Sequence, residues 1–251
     1  VYEVAEKLYA DAHSLLNREL GEEHRESITS FADLASLYYS QGRFDKAEEA
    51  LIQSLEEKRR ILGPEDPATL KGTANLANVY QALGRFEEAE KLYVDVLEVL
   101  RRTRGPEDPD TLGTQNNLAA LYAEMDRHQD ALGLIRETYE TRLRVQGSNH
   151  PDTLGAAANL AEQLRAAGQL REGTELELAT LEARRRILGE RHPHTLASHH
   201  NLGIAYLASG MYQKAEEHLL KAYQGRLEDL GPDHPDTLLA SYNLGNLYSS
   251  M

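Results

Sequence analysis

Between Asp66 and Arg104 the apolar residues fall three or four apart in two blocks. Leu70, Ala74, Ala77 and Tyr80 form the first, and Ala89, Tyr93, Val96, Leu97 and Leu100 the second. That spacing marks one face of a helix, whereas a half-buried strand would alternate every second residue. Asp66 and Pro67 supply the start signal: the carboxylate can accept from unpaired amides of the first turn, and proline lacks a donor where none is needed. The pattern therefore predicts a first helix over about 67–83, a turn at Gly84 and Arg85, and a second helix from Phe86 to about Arg104. Gly105 is expected to end it through a left-handed cap.

The same punctuation returns every 42 residues, as Gly63, Gly105, Gly147, Gly189 and Gly231 with Gly21 one interval earlier. Pro67, Pro109, Pro151, Pro193 and Pro235 keep step with it, as do the threonines from Thr69 to Thr237. His150, His192 and His234 stand where Asp66 stands in the unit just described. Strict phasing of this kind marks a repeat array whose units bury their apolar faces against neighbours. The predicted fold class is an all-α solenoid of antiparallel helix pairs forming a single domain over 1–251. It has an orphan second helix at 1–20, five pairs at about 25–62, 67–104, 109–146, 151–188 and 193–230, and an orphan first helix at 235–251. Because Val1 and Met251 both fall inside the pattern, the chain is expected to be part of a longer protein, with end-to-end self-association through its uncapped termini. A propeller would need four short strands per repeat, and nothing alternates with period two for long.

Within the model unit, Leu76, Ala77, Tyr80, Gly84, Phe86, Ala89 and Tyr93 hold the spacing that tetratricopeptide repeats use, and the chain resembles that family along essentially its whole length. Arg59, Arg101, Leu143, Arg185 and Leu227 replace the proline that closes the common, shorter form, so the second helix gains about two turns. Leu188-Gly189-Glu190-Arg191-His192-Pro193-His194-Thr195-Leu196, followed by Asn201-Leu202-Gly203, is similar to the long repeats of kinesin light chains. It is also similar to arrays that trail nucleotide-binding domains in fungal and bacterial signalling proteins. The resemblance implies a right-handed superhelix whose first helices line a concave groove for an extended peptide or a partner helix.

Opposite the inward-facing Leu76, Ala77 and Tyr80, the repeat brings Asn75, Asn117, Asn159, Asn201 and Asn243 into one row, preceded by Asp33. A carboxamide offers two donors and an acceptor, which suits a grip on peptide backbone, and equally a bond inside the array. Positions that change between repeats would read sequence: Lys71, Asn78 and Gln81; Asn116 and Glu124; Glu162 and Arg165; His200; Tyr242 and Asn246. With only Lys71 and Arg165 cationic among them, an acidic tail is a poor match.

Composition narrows the choice of partner. The formal charge is −14, so a nucleic-acid backbone is excluded and a neutral or basic protein or peptide is expected. No apolar run is long enough to span a membrane, and the lack of cysteine suits the cytoplasm. His192, His194, His199 and His200 cluster through repeat phase, without the fixed ligand spacing of a zinc site. Arginine runs such as Arg59-Arg60 and Arg184-Arg185-Arg186 close second helices, where cations suit the helix dipole. No catalytic motif is present, so neither enzyme activity nor a cofactor or metal is expected. The reading is a non-catalytic interaction scaffold, with a sensor or autoinhibitory segment of a larger nucleotide-driven signalling protein as the alternative. Leu164 and Gly173 mark the fourth complete repeat as the weakest, since glycine costs a helix about 1 kcal/mol relative to alanine.

Overall fold

The computed structural model describes residues 2–21 and 23–251; Val1, at the head of the expected orphan helix, lies outside the described residues. These residues form helices alone: α1 (Tyr2–Leu20), α2 (Arg25–Ser40), α3 (Phe44–Ile61), α4 (Pro67–Ala82), α5 (Phe86–Thr103) and α6 (Pro109–Glu124), then α7 (His128–Gln146), α8 (Pro151–Ala166), α9 (Leu170–Leu188), α10 (Pro193–Ala208), α11 (Tyr212–Leu230) and α12 (Pro235–Ser250). They gather into two compact units, α1 to α6 up to Met125 and α7 to α12 from Asp126. In each unit every helix packs against the next in sequence.

The boundaries follow from local chemistry. Asp66 and Asp108 accept from the amides two residues on, at 2.8 and 3.0 Å, with proline in the first turn. The histidines do the same work: Nδ1 of His150, His192 and His234 each accepts at 3.2 Å from the corresponding amide. Each of these rings therefore presents Nδ1 without its proton. Helix ends differ in detail from the expected left-handed cap. Gly147, Gly189 and Gly231 combine φ of 81–91° with ψ of 165–171°, a region essentially closed to any residue with a Cβ. The turn after each first helix also uses positive φ, supplied by glycine at 42, 84, 168 and 210 and by Asp126 at φ 58°.

The first unit's core joins Ala35, Ala47, Leu51, Leu55, Leu76 and Val79, with Tyr80 and Leu92 packed against it. In the second, Leu181, Leu202, Tyr206, Leu219, Leu244 and Leu247 perform the same service. Each buried leucine of this kind contributes about 1.5–3 kcal/mol, and this burial holds the helices together.

Gly173, on which the expectation of a weak fourth repeat rests, is a close-packing glycine. A Cβ there would stand 2.7 Å from the Ala161 carbonyl oxygen and 3.3 Å from Leu164 Cβ, so α9 approaches α8 too closely for any side chain. The glycine is the condition of that packing. Gly173→Ala is expected to cost about 1–3 kcal/mol in urea unfolding, because overpacking outweighs alanine's helix advantage; a stabilised variant would contradict this.

Candidate functional site

In the first unit, the exposed stripe of α4 faces α6 across a depression floored by Leu70, Val96 and Leu100. Lys71, Asn75, Asn78 and Asn117 all line it, with Asp110 and Thr114 on the far wall, around about 610 Å³ of space open to solvent. Asn75 and Asn78 also border a second depression beside Ser36, Tyr39 and Leu51. Residues three apart share a helix face, so these two carboxamides serve both hollows and make them one groove across α2, α4 and α6. The variable positions are fixed by a network. The buried Tyr93 hydroxyl donates to Asn78 Oδ1, and Gln81 Nε2 donates to Glu124 Oε1 at 2.8 Å. Burial pushes the Tyr93 phenol well above its ordinary range, so it remains a donor. Asn116 lies half-buried on α6, one residue before Asn117.

The second unit places its groove residues differently. Arg165 and Asn201 line a narrow cleft with Glu162 and Glu177, whereas Asn159 is exposed on α8. His200 turns inward: it is 6 % exposed and accepts at Nε2 from Asn243 Nδ2 at 2.8 Å. Burial, with Arg226 adding to it, pushes His200 down to about 4. This ring is a strut between α10 and α12 rather than an open groove residue, and it is Asn243 of the asparagine row that reaches it from α12. Tyr242 and Asn246 remain exposed on α12.

The second unit also buries charge that the arginine-dipole reading did not anticipate. Arg142, Arg184 and Arg226 sit 42 residues apart and each donates to a carbonyl ten residues on, those of Asp152, His194 and Asp236, at 3.1, 3.2 and 3.2 Å. Arg184 reaches further, to Ser198 Oγ at 2.7 Å and the Leu154 carbonyl at 3.1 Å. Lys58 and Leu100 hold the equivalent places in the first unit. Beside Arg184 lies Glu177, 2 % exposed, both of its carboxylate oxygens without a hydrogen-bond partner. Burial pushes its carboxyl up to about 7, although Ser198 and Arg184 pull the other way. The signal for these arginines was their 42-residue spacing, which passes unnoticed when adjacent arginines are read as one run.

Arginines at the ends of second helices also reach across repeats. Arg60 meets Glu23 at 3.0 Å, Arg102 meets Glu65 at 2.6 Å, and Arg186 donates to Asn149 Oδ1 at 2.7 Å, each 37 residues back. Exposed pairs of this type contribute at most about 1 kcal/mol each. The histidine cluster disperses as well. His192 caps α10, while His199 donates through Nε2 to Glu190 at 3.1 Å and takes a bond from His218 at Nδ1 at 2.8 Å. Among the described residues no three His, Cys, Asp or Glu side chains are placed to hold a metal ion, and no helix is long and apolar enough to cross a membrane.

Comparison with known proteins agrees with this architecture. A Podosopora anserina protein described as a kinesin light chain with nearly identical TPR-like repeats is 30 % identical with a TM-score of 0.71, over 82 % of this chain and 98 % of its own. BtubC (BKLC) from P. vanneervenii, at 23 % identity, shares the fold with a TM-score of 0.74 over 93 % of this chain and 92 % of its own. No curated protein matches the chain. The tetratricopeptide repeat profile matches residues 2–60, 66–144, 110–172 and 152–228. Its long repeats are of the kinesin-light-chain type, and the chain belongs to the tetratricopeptide repeat family.

Proposed function

We propose that this chain is a non-catalytic protein-interaction scaffold that holds an extended peptide or a partner helix against the exposed stripe of its first helices. One observation carries the reading: Lys71, Asn75, Asn78 and Asn117 converge on a single apolar-floored hollow in the first unit. Carboxamides there can pair with peptide amides and carbonyls whatever the side chains, while the apolar floor accepts a side chain of the ligand. Selectivity falls to Lys71, Asn78 and Asn116 in the first unit and to Arg165, Tyr242 and Asn246 in the second, with Asn159 and Asn201 continuing the backbone grip. A neutral or basic partner suits a chain of net charge −14, and the lack of cysteine fits a cytoplasmic setting.

Selection from a random decapeptide library, followed by titration of the enriched peptides, tests this. Asn75→Ala with Asn117→Ala is expected to weaken the enriched peptides about tenfold or more, the loss of one to two net hydrogen bonds, with the fold intact. Affinity unchanged in that variant would reject the groove.

A further inference from the structure

Glu177 is out of place as a structural residue. Its equivalents are Leu51, Tyr93, Ile135 and Leu219, all apolar or aromatic core residues, and a carboxylate in such a position is costly unless something pairs with it. Among the described residues Ser198, Arg184 and Arg165 favour its charge, but burial outweighs them. Both oxygens lack a partner, and Arg184, the cation beside it on α9, is committed to Ser198 and two carbonyls. The side chain lines the cleft between α8, α9 and α10, together with Glu162, Arg165, Gly173 and Asn201. We propose that this cleft is a socket for a primary ammonium group, the head of a lysine side chain of the bound peptide, with Glu177, Glu162 and Asn201 as its acceptors.

The inference rests on the reading of the groove as a peptide site and names the chemistry of one position in that peptide. Three acceptors match the three donors of an ammonium, which is compact; the planar fork of a guanidinium asks for a wider opening. The cleft is tight, its closed part only about 10 Å³, the room of one water-sized group such as an ammonium head. An anion would meet the carboxylates of Glu162 and Glu177, and Arg184 is already held by Ser198 and two carbonyls. The groups facing Glu177 are Glu162 and Arg165 from α8, Ser198 and Asn201 from α10, and Arg184 on its own helix. Since burial holds Glu177 near 7, the socket accepts a cation at pH 8 and is largely closed by protonation at pH 5.5.

The test has two independent arms on the full chain. Butylammonium chloride, titrated at pH 8, is expected to move the Glu177 carboxyl ¹³C resonance saturably, with no response to butan-1-ol and none of the corresponding amide shifts in Glu177→Gln. Among library-selected peptides, replacing one lysine by norleucine is expected to cost about tenfold in affinity, and Glu177→Gln to cost the lysine peptide the same while sparing the norleucine one. A carboxyl resonance indifferent to butylammonium, with peptides that bind equally to both variants, would overturn the socket and leave the groove standing. Binding of butylammonium without any peptide enrichment would do the reverse.

Discussion

Arg184→Ala is expected to destabilise the chain by about 3–5 kcal/mol in denaturant unfolding, the cost of removing one member of a buried charged group. Its guanidinium is the common donor to Leu154, His194 and Ser198, tying α9 to both α8 and α10. Alanine would leave a void and strip Glu177 of the nearby positive charge that offsets its burial. The carbonyls themselves lie in helices and keep their helical partners, so most of the loss comes from the void and the carboxylate. Consequently Arg184→Leu combined with Glu177→Leu is expected to return stability to the wild-type value or above. Leu100 and Leu219 occupy the same two registers in other repeats and are buried there. A double variant as unstable as Arg184→Ala would show that the guanidinium bonds themselves dominate.

The second large effect is on pH dependence. Glu177 titrates near 7 in the folded chain because burial disfavours its charge, against an ordinary value of 4.5. The native state therefore binds more protons than the unfolded state between those values, and this group's contribution to stability falls as pH rises through the window. About 2.5 units correspond to roughly 3 kcal/mol lost between pH 4.5 and 8. His200 and His218, both pushed down to about 4 by burial, act in the opposite direction between pH 4 and 6.5. Comparison with Glu177→Gln isolates the carboxyl: the variant is expected to match wild type near pH 4.5 and to exceed it by about 3 kcal/mol at pH 8. Parallel stability curves for the two proteins across that range would rule out the buried ionisable state.

The helix pairs were legible because proline, glycine and a capping residue mark each boundary chemically, so α4 and α5 can be drawn from Asp66, Pro67, Gly84 and Gly105 alone. The asparagine row was legible because a 42-residue period fixes which face each copy presents. His200 was not: it shares the outward register with Lys71's neighbours, and only the proximity of Asn243 from another repeat turns it into a strut. The packing role of Gly173 was not legible, because propensity describes an isolated helix, while the 2.7 Å approach of a Cβ there to the Ala161 carbonyl belongs to a pair of helices. Glu177 looked like one more surface acid in a chain rich in them. Counting 42 residues back to Ile135 and forward to Leu219 reveals the anomaly, and the structure shows the two unpaired oxygens that give it meaning.

The account stands on ligand binding at the faces of the first helices. Its most direct test follows the side-chain amide resonances while a library-selected peptide is titrated into labelled protein. The prediction is saturable shifts at Asn75, Asn78 and Asn117, with Gln53, Gln129 and Gln213 on second helices unmoved. Shifts confined to those glutamines would place the ligand on the opposite surface and contradict the account.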